Sequence, residues 1–421
     1  MNKTLVSIIT LMIISLNTYA EEIHSHSEGN NTAISIKSIR GILGENDPIL
    51  HTQGQLRTGY IHFKKAGNDA TNAYALGGHL HFHTKRWQGF ALGLSAYGVV
   101  NLAKNQNKLH VNSDFFDNEA ESFSQLTEAY LDGQWGETEI KIGRQILDTP
   151  HADSDDIRMI PNYFEAYTLK NTTIKDLNLN VGYIRKMAGW ENGVNASKFV
   201  NIGETLGTQN IDGVYYTSAS YDGIKDLSLS LWYYHYHNIA NVFYAEAGYE
   251  MHVSSALDIV LGLQYDISNQ TGDALLQNQD AKTFGLSMEF VAENLGIHIL
   301  TAYNKDSGNA GASSLNLGGG ALFTSMEDQT LDAMGQAGEA WIVGLGYHFD
   351  TLEIEGLNAG IAYGHFVANN ASNYEANELD VVIEYSLNEK FSLTTAYAST
   401  HFKPVGMQDY KQLRVITNYN F

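Results

Sequence analysis

A chain of 421 residues with no cysteine and four prolines has neither disulfide nor thiolate metal chemistry, and no proline-rich linker to divide it into soluble domains. Its 47 acidic against 25 basic groups, a formal charge of −22, argue against a nucleic-acid partner. The 39 glycines and 25 tyrosines are spread along the chain and suit one large curved sheet, because glycine permits close strand packing and tyrosine favours sites with one apolar and one wet end.

Residues 1–20 place Lys3 before an apolar run from Leu5 to Leu16 and the small-residue site Thr18-Tyr19-Ala20, the pattern of a secretory signal peptide cut after Ala20. That run is shorter than the roughly 20 residues a membrane-spanning helix needs. Without Lys3 the balance is 24 basic against 47 acidic groups, or −23. Residues 21–50 form an N-terminal segment, and 51–421 form the main domain.

From residue 51 the dominant signal is period-two alternation in segments of about ten residues. Leu257, Ile259, Leu261, Leu263 and Tyr265 alternate with Asp258, Val260, Gly262, Gln264 and Asp266. Phe284, Leu286, Met288 and Phe290 oppose Gly285, Ser287 and Glu289, and Trp341 to Phe349 behaves alike. Segments begin near residues 51, 72, 88, 124, 137, 161, 176, 210, 226, 240, 256, 282, 295, 340, 356, 378, 390 and 410, which predicts eighteen strands within a range of 16–18. A soluble sandwich also alternates, so the connections decide. Short ones, such as Trp135 to Thr138 and Asn388 to Glu389, alternate with long ones at 102–121, 147–160, 187–209, 267–281 and 304–339. The expected fold is therefore all-β: a transmembrane antiparallel β-barrel with short periplasmic turns, long external loops and both termini in the periplasm. Barrels of this size keep an aqueous lumen. Trp87, Trp135, Tyr221, Phe349 and Phe391 fall beside short turns, where amphipathic rings would form an interfacial girdle; ordinary strand packing is the alternative.

The stretch Gly143-Arg144-Gln145-Ile146-Leu147-Asp148-Thr149-Pro150, then Ser154-Asp155-Asp156-Ile157-Arg158-Met159-Ile160-Pro161-Asn162 and Phe164-Glu165-Ala166-Tyr167, resembles the OprD-type family of outer-membrane porins, in particular its epsilonproteobacterial branch. The final Tyr419-Asn420-Phe421 is similar to the terminal aromatic signal read by outer-membrane assembly machinery. The resemblance implies an eighteen-stranded barrel in the outer membrane of a Gram-negative bacterium, whose third external loop folds into the lumen. It further implies passive passage of ions, amino acids and small carboxylates through an eyelet, with basic side chains on one wall facing acidic groups on the constricting loop. Opposed charges there would orient a solute and lower the cost of its partial dehydration. The acidic candidates are Asp153, Asp155 and Asp156, and the basic ones Arg57, Lys141, Arg158 and Arg414. Lys141 and Arg414 oppose apolar neighbours and should point inward, whereas Arg144 shares the parity of Ile142 and should face outward unless a bulge intervenes. An apolar outer face serves a lipid-embedded monomer and a homotrimer alike.

His79, His81 and His83 alternate with Leu80 and Phe82, placing three imidazoles on one strand face at about 6.8 Å intervals. They are weak candidates for a metal site, as are His24 and His26, and solvated luminal histidines are the plainer reading. No cofactor motif, nucleophile elbow, phosphate loop or zinc-protease helix is present. The alternatives to a channel are a surface barrel acting through its loops as an adhesin, and a barrel hydrolase.

Overall fold

The computed structural model describes residues 50–103, 110–277, 279–308, 315–369, 374–404 and 406–421. The expected signal peptide, nearly all of the N-terminal segment, and His24 and His26 lie outside them. The wall consists of β1 (Leu50–Lys65), β2 (Thr71–Thr84), β3 (Phe90–Asn101), β4 (Phe123–Trp135), β5 (Thr138–Gln145), β6 (Tyr163–Asn171), β7 (Leu177–Ala188), β8 (Val214–Ile224) and β9 (Leu227–Tyr236). It continues through β10 (Ala240–Ser254), β11 (Leu257–Gln270), β12 (Lys282–Ala292), β13 (Ile297–Asp306), β14 (Gly338–His348), β15 (Leu357–Ala368), β16 (Glu375–Asn388), β17 (Phe391–Phe402) and β18 (Tyr410–Asn420). Each strand pairs antiparallel with its neighbours in sequence, and β1 pairs with β18 from Gln55↔Asn420 to Lys65↔Tyr410. That last pairing closes the sheet and removes its edges. The largest error in the expected strand starts is at β8, foreseen at 210 and found at Val214. No helix among the described residues is long and apolar enough to cross a membrane.

The direction of the apolar face separates this barrel from a soluble sandwich. Leu76, Leu94, Leu231, Leu263, Val343, Leu345 and Ile361 are all at least 41% exposed on the outside. Arg57, Gln264, Asp266, Asn304, Glu378, Asp380 and Arg414 are buried on the inside. A water-soluble sheet would invert both sets, whereas a lipid-embedded barrel needs them this way round. Trp87, Trp135 and Tyr221 are exposed at the short-turn end, where Phe90 meets Trp135 edge to face at 4.8 Å. Phe349 and Phe391 stand half-buried at the same end.

The described parts of three long connections turn into the lumen: L2 (102–122), L3 (146–162) and L7 (307–337). Phe115 and Phe116 of L2 pack with Met159 and Ile160 of L3 on the inner face of β1–β3. Leu147 and Ala152 of L3, with Leu315 and Leu317 of L7, pack on Tyr216, Trp232, Tyr234 and Tyr244 of β8–β10. Leu322, Phe323 and Met326 of L7 cover Ile342, Phe366 and Val382. The lumen therefore carries apolar patches wherever a loop must be fastened, which offsets the entropy of ordering it.

Two methionine seats depend on glycine. A Cβ on Gly59 would lie 2.4 Å from Met159 Sδ, and one on Gly364 would lie 2.2 Å from Met326 Sδ. Gly59→Leu should therefore expel Met159 and cost about 1–3 kcal/mol through overpacking. The guanidinium midpoint of the barrel in lipid vesicles should fall and single-channel conductance should change; if neither moves, Met159 does not hold L3.

Candidate functional site

Alternation on β1 turns Leu56 outward and Arg57 inward, where the guanidinium meets L3. Nη1 and Nη2 of Arg57 donate to the two carboxylate oxygens of Asp156 at 2.5 and 2.7 Å. Nη1 also donates to the Arg158 carbonyl at 2.8 Å, and Nε to Asn418 Oδ1 of β18 at 2.7 Å. The basic wall and the acidic loop, expected to face each other across the passage, are thus in direct bidentate contact here. The cause is local: Asp155 has φ +38° and its carbonyl accepts from Ile157 N at 2.8 Å. This tight turn carries Asp156 to the wall.

The other L3 candidates have separate roles. Asp153 is a brace: its Oδ1 accepts from Asp155 N at 2.7 Å and its carbonyl from Asn162 Nδ2 at 3.2 Å. Asp155 is buried, and its carbonyl accepts from Trp190 Nε1 at 2.8 Å. Burial pushes its carboxyl up to about 6, against the pull of Arg158 and of the Gly319 N–H. Arg158 lies over the Trp190 ring at 4.8 Å, and its buried Nε and Nη1 have no hydrogen-bond partner among the described residues. Cation–π contact with the ring thus adds to the charge interaction with Asp155 in holding this buried guanidinium.

Arg414 points inward from β18 as its parity requires, and Nη2 donates to Glu327 Oε2 of L7 at 2.5 Å. Both side chains are at most 5% exposed. The rest of this site was missing from the sequence expectations. Asp328 N donates to Glu378 Oε1 at 2.8 Å and Glu327 N to Asp380 Oδ2 at 3.0 Å, while Gln412 Nε2 donates to Asp328 Oδ1 at 3.1 Å. Alternation could have found the strand members, since Glu378 and Asp380 oppose Leu379 and Val381 on β16. L7 has no period to read.

L3 and L7 are joined by His151. Its Nδ1 is 2.9 Å from the Leu315 carbonyl and its Nε2 is 3.0 Å from Asp266 Oδ2 of β11. Facing two acceptors, the ring carries both protons when Asp266 is ionised. Burial works against that charge, and the Asp266 carboxylate with the two hydrogen bonds outweighs it, holding the imidazole above its ordinary range.

Lys141 points inward as expected, 4.7 Å from the Tyr130 ring centre and opposite Asp132. A cavity of 470 Å³ lies nearby, lined by Asp148, Lys170, Asn178, Ser220, Trp232 and Glu246 among others. The three histidines of β2 line the lumen, and each has a different neighbour. His81 Nδ1 is 3.0 Å from Glu128, His83 Nε2 is 3.6 Å from Asp132, and the His79 ring lies tilted against Tyr97 at 5.5 Å. Glu250, His252 and Asp258 do bring one ligand atom each within 4.8 Å of the others, near the β10–β11 turn.

A closed barrel with an apolar exterior, a polar interior and long loops folded into its lumen is a membrane channel of the porin class. The profile of the family described as outer membrane porin, OprD family, matches residues 52–421. The chain belongs to that family, and is an outer-membrane porin of a Gram-negative bacterium that passes small hydrophilic solutes. The structure is similar to Pseudomonas aeruginosa OccK9 (OpdG), with TM-score 0.77 and 18% identity, covering 88% of this chain and 98% of that one. It is similar to Acinetobacter baumannii OccAB4, with TM-score 0.75 and 16% identity over 89% and 99% of the two chains. It is also similar to Pseudomonas aeruginosa OpdK with vanillate, with TM-score 0.73 and 18% identity over 88% and 98%. At these identities the likeness concerns the fold. No curated protein sequence matches the chain.

Proposed function

We propose that the eyelet formed by L3 and L7 selects small solutes carrying a carboxylate, among them amino acids, and that Arg158 is the group they meet. The observation that carries this reading is the Arg158 guanidinium, which lies over the Trp190 ring beside Asp155 and whose buried Nε and Nη1 have no hydrogen-bond partner among the described residues. Arg57 and Arg414 are committed to Asp156 and Glu327, so they set the shape and background charge of the passage. Asp155 and Asp328 supply opposing charge for an ammonium group. Crystallisation of OpdK with vanillate, a small carboxylate, agrees with this chemistry. No catalytic role is part of the reading.

We also assign residues 1–20 as the cleaved leader, residues 21–50 as a periplasmic lead-in, and Phe421 as the signal to the assembly machinery. Phe421 seats against Gly54 through reciprocal backbone hydrogen bonds of 2.9 Å. Crosslinking in native membranes distinguishes a monomer from a homotrimer.

Purified protein in planar bilayers should give stepwise conductance, with reversal potentials that respond to amino acids and small carboxylates. Bilayers that stay silent would sink the channel, and indifference of Arg158→Gln to carboxylates would remove Arg158 from the eyelet.

A further inference from the structure

The barrel exterior carries a cationic patch at its external rim. On β6, Phe164 and Ala166 are buried in the lumen, so Glu165 between them faces outward, as does Tyr167, which is 45% exposed. Strand register places Arg144 of β5 directly opposite Glu165, and Glu165 opposite Lys186 of β7. Arg144 thus keeps the outward parity of Ile142. A bulge in β7 between Ile184 and Lys186 makes Arg185 an extra residue. Both Arg185 and Lys186 therefore lie beside Glu165, where strict alternation would have turned one of them inward.

The height of this patch follows from the side chains below it. Toward the short-turn end the same lane carries Leu169 and Val181, both exposed and apolar, while the exposed Ile142 is level with Tyr167. Above them runs a row of tyrosines, with Tyr167 and Tyr183 stacked at 6.0 Å and Tyr183 and Tyr215 at 4.6 Å. Such rings mark headgroup depth. The charged row stands two residues further out, a rise of about 7 Å, at the level of lipid phosphates.

The charges there do not balance. Arg185 Nη1 is 3.0 Å from Glu165 Oε1. Arg144 Nη1 donates to the Leu126 carbonyl at 2.9 Å, and its guanidinium stacks on Phe199 at 4.3 Å. Lys186 has no ion pair or hydrogen bond among the described residues. Asp212, whose carbonyl accepts from Tyr183 Oη, has its carboxylate 3.5 Å from His237. Elsewhere on this rim Lys305 is paired with Glu339 at 3.4 Å and Lys403 with Glu375. In a chain of net charge −22, three cations around one carboxylate run against the overall balance.

We propose that Arg144, Arg185 and Lys186 bind the phosphorylated headgroup of an outer-leaflet lipid, whose acyl chains run down over Tyr167, Ile142 and Val181. Arg presents planar donors to phosphate oxygens, Lys adds an unpaired charge, and the apolar lane receives the chains. Glu165 holds Arg185 in place and disfavours a second anion.

The test uses the full barrel in detergent and measures retention of diphosphorylated lipid A by native mass spectrometry. The triple variant R144Q/R185Q/K186Q should bind about tenfold more weakly, and fully dephosphorylated lipid A should bind the native barrel as poorly. Lys403→Gln should bind as the native chain does. Unchanged affinity in the triple variant, or equal binding of the dephosphorylated lipid, overturns the proposal. Displacement by inorganic phosphate at the concentration at which lipid A saturates overturns the lipid assignment in favour of a free-anion site. Conductance of the triple variant should match the native channel, which reports folding independently. If that variant does not fold, Lys186→Gln alone, which breaks no bond, should weaken retention several-fold, and native retention in it overturns the proposal.

Discussion

Arg414→Met should destabilise the barrel by about 3–5 kcal/mol at pH 7.5 and release L7 from the wall. The size of the effect follows from what is left behind. Glu327 and Arg414 are at most 5% exposed, and Glu327 shares its surroundings with Glu378, Asp380 and Asp328. Removing the guanidinium leaves these carboxylates inside the barrel without the cation that pairs with Glu327, and like charges at short range in a poorly screened site repel strongly. The double variant Arg414→Met/Glu327→Gln should recover a large part of the loss, because it removes the carboxylate charge along with the cation that pairs with it. Guanidinium unfolding in vesicles measures all three variants, and a strictly additive double variant would show that the pair is not coupled. Acid should rescue the single variant. Protonating the Glu327 carboxylate removes the charge whose guanidinium is gone, so the lost stability should return as pH drops. Conductance should also increase, since L7 fills part of the lumen.

The wall was legible in the sequence because lipid imposes a strict rule: every second residue of each strand must be apolar, and side-chain parity fixes direction. That rule located Lys141 and Arg414 on the inner face and Arg144 on the outer. It says nothing of height or partners. Arg57 and Lys141 have the same inward direction, yet one clamps L3 and the other stands over Tyr130. The loops obey no period, so the parts of the site that depend on L7 were hidden. His151 illustrates the limit: its partners Asp266 and Leu315 lie more than a hundred residues away. Asp155 and Asp156 are adjacent in sequence, but a positive φ sends one carboxylate into a buried cage and the other to the wall. Nothing in a run of two aspartates announces that division.

That division makes the two aspartates separable by experiment. Asp155 sits beside Arg158 with its carboxyl raised to about 6 by burial, whereas Asp156 is half exposed and bound to Arg57. Below pH 6 Asp155 becomes neutral and the Arg158 charge stands uncompensated by it, so anions should be favoured. Above pH 6 the carboxylate opposes that charge. The ratio of anion to cation permeability should therefore be about two- to fivefold higher at pH 5 than at pH 7.5, the size of one charge felt through a partly hydrated passage. Asp155→Asn should show the pH 5 ratio throughout, while Asp156→Asn should raise the ratio at every pH and keep the step near 6. Stability carries the same signature with a definite sign. An acid whose folded value is raised binds its proton more tightly in the fold, so the native barrel loses stability as pH climbs from the unfolded value of 3.8 through 6. The loss is at most about 3 kcal/mol, and Asp155→Asn should abolish it. A native channel whose reversal potential is flat between pH 5 and 7.5 would mean that Asp155 and Arg158 do not face the permeating solute. The selectivity filter would then have to be sought among Asp328, Glu378 and Asp380 on the L7 side.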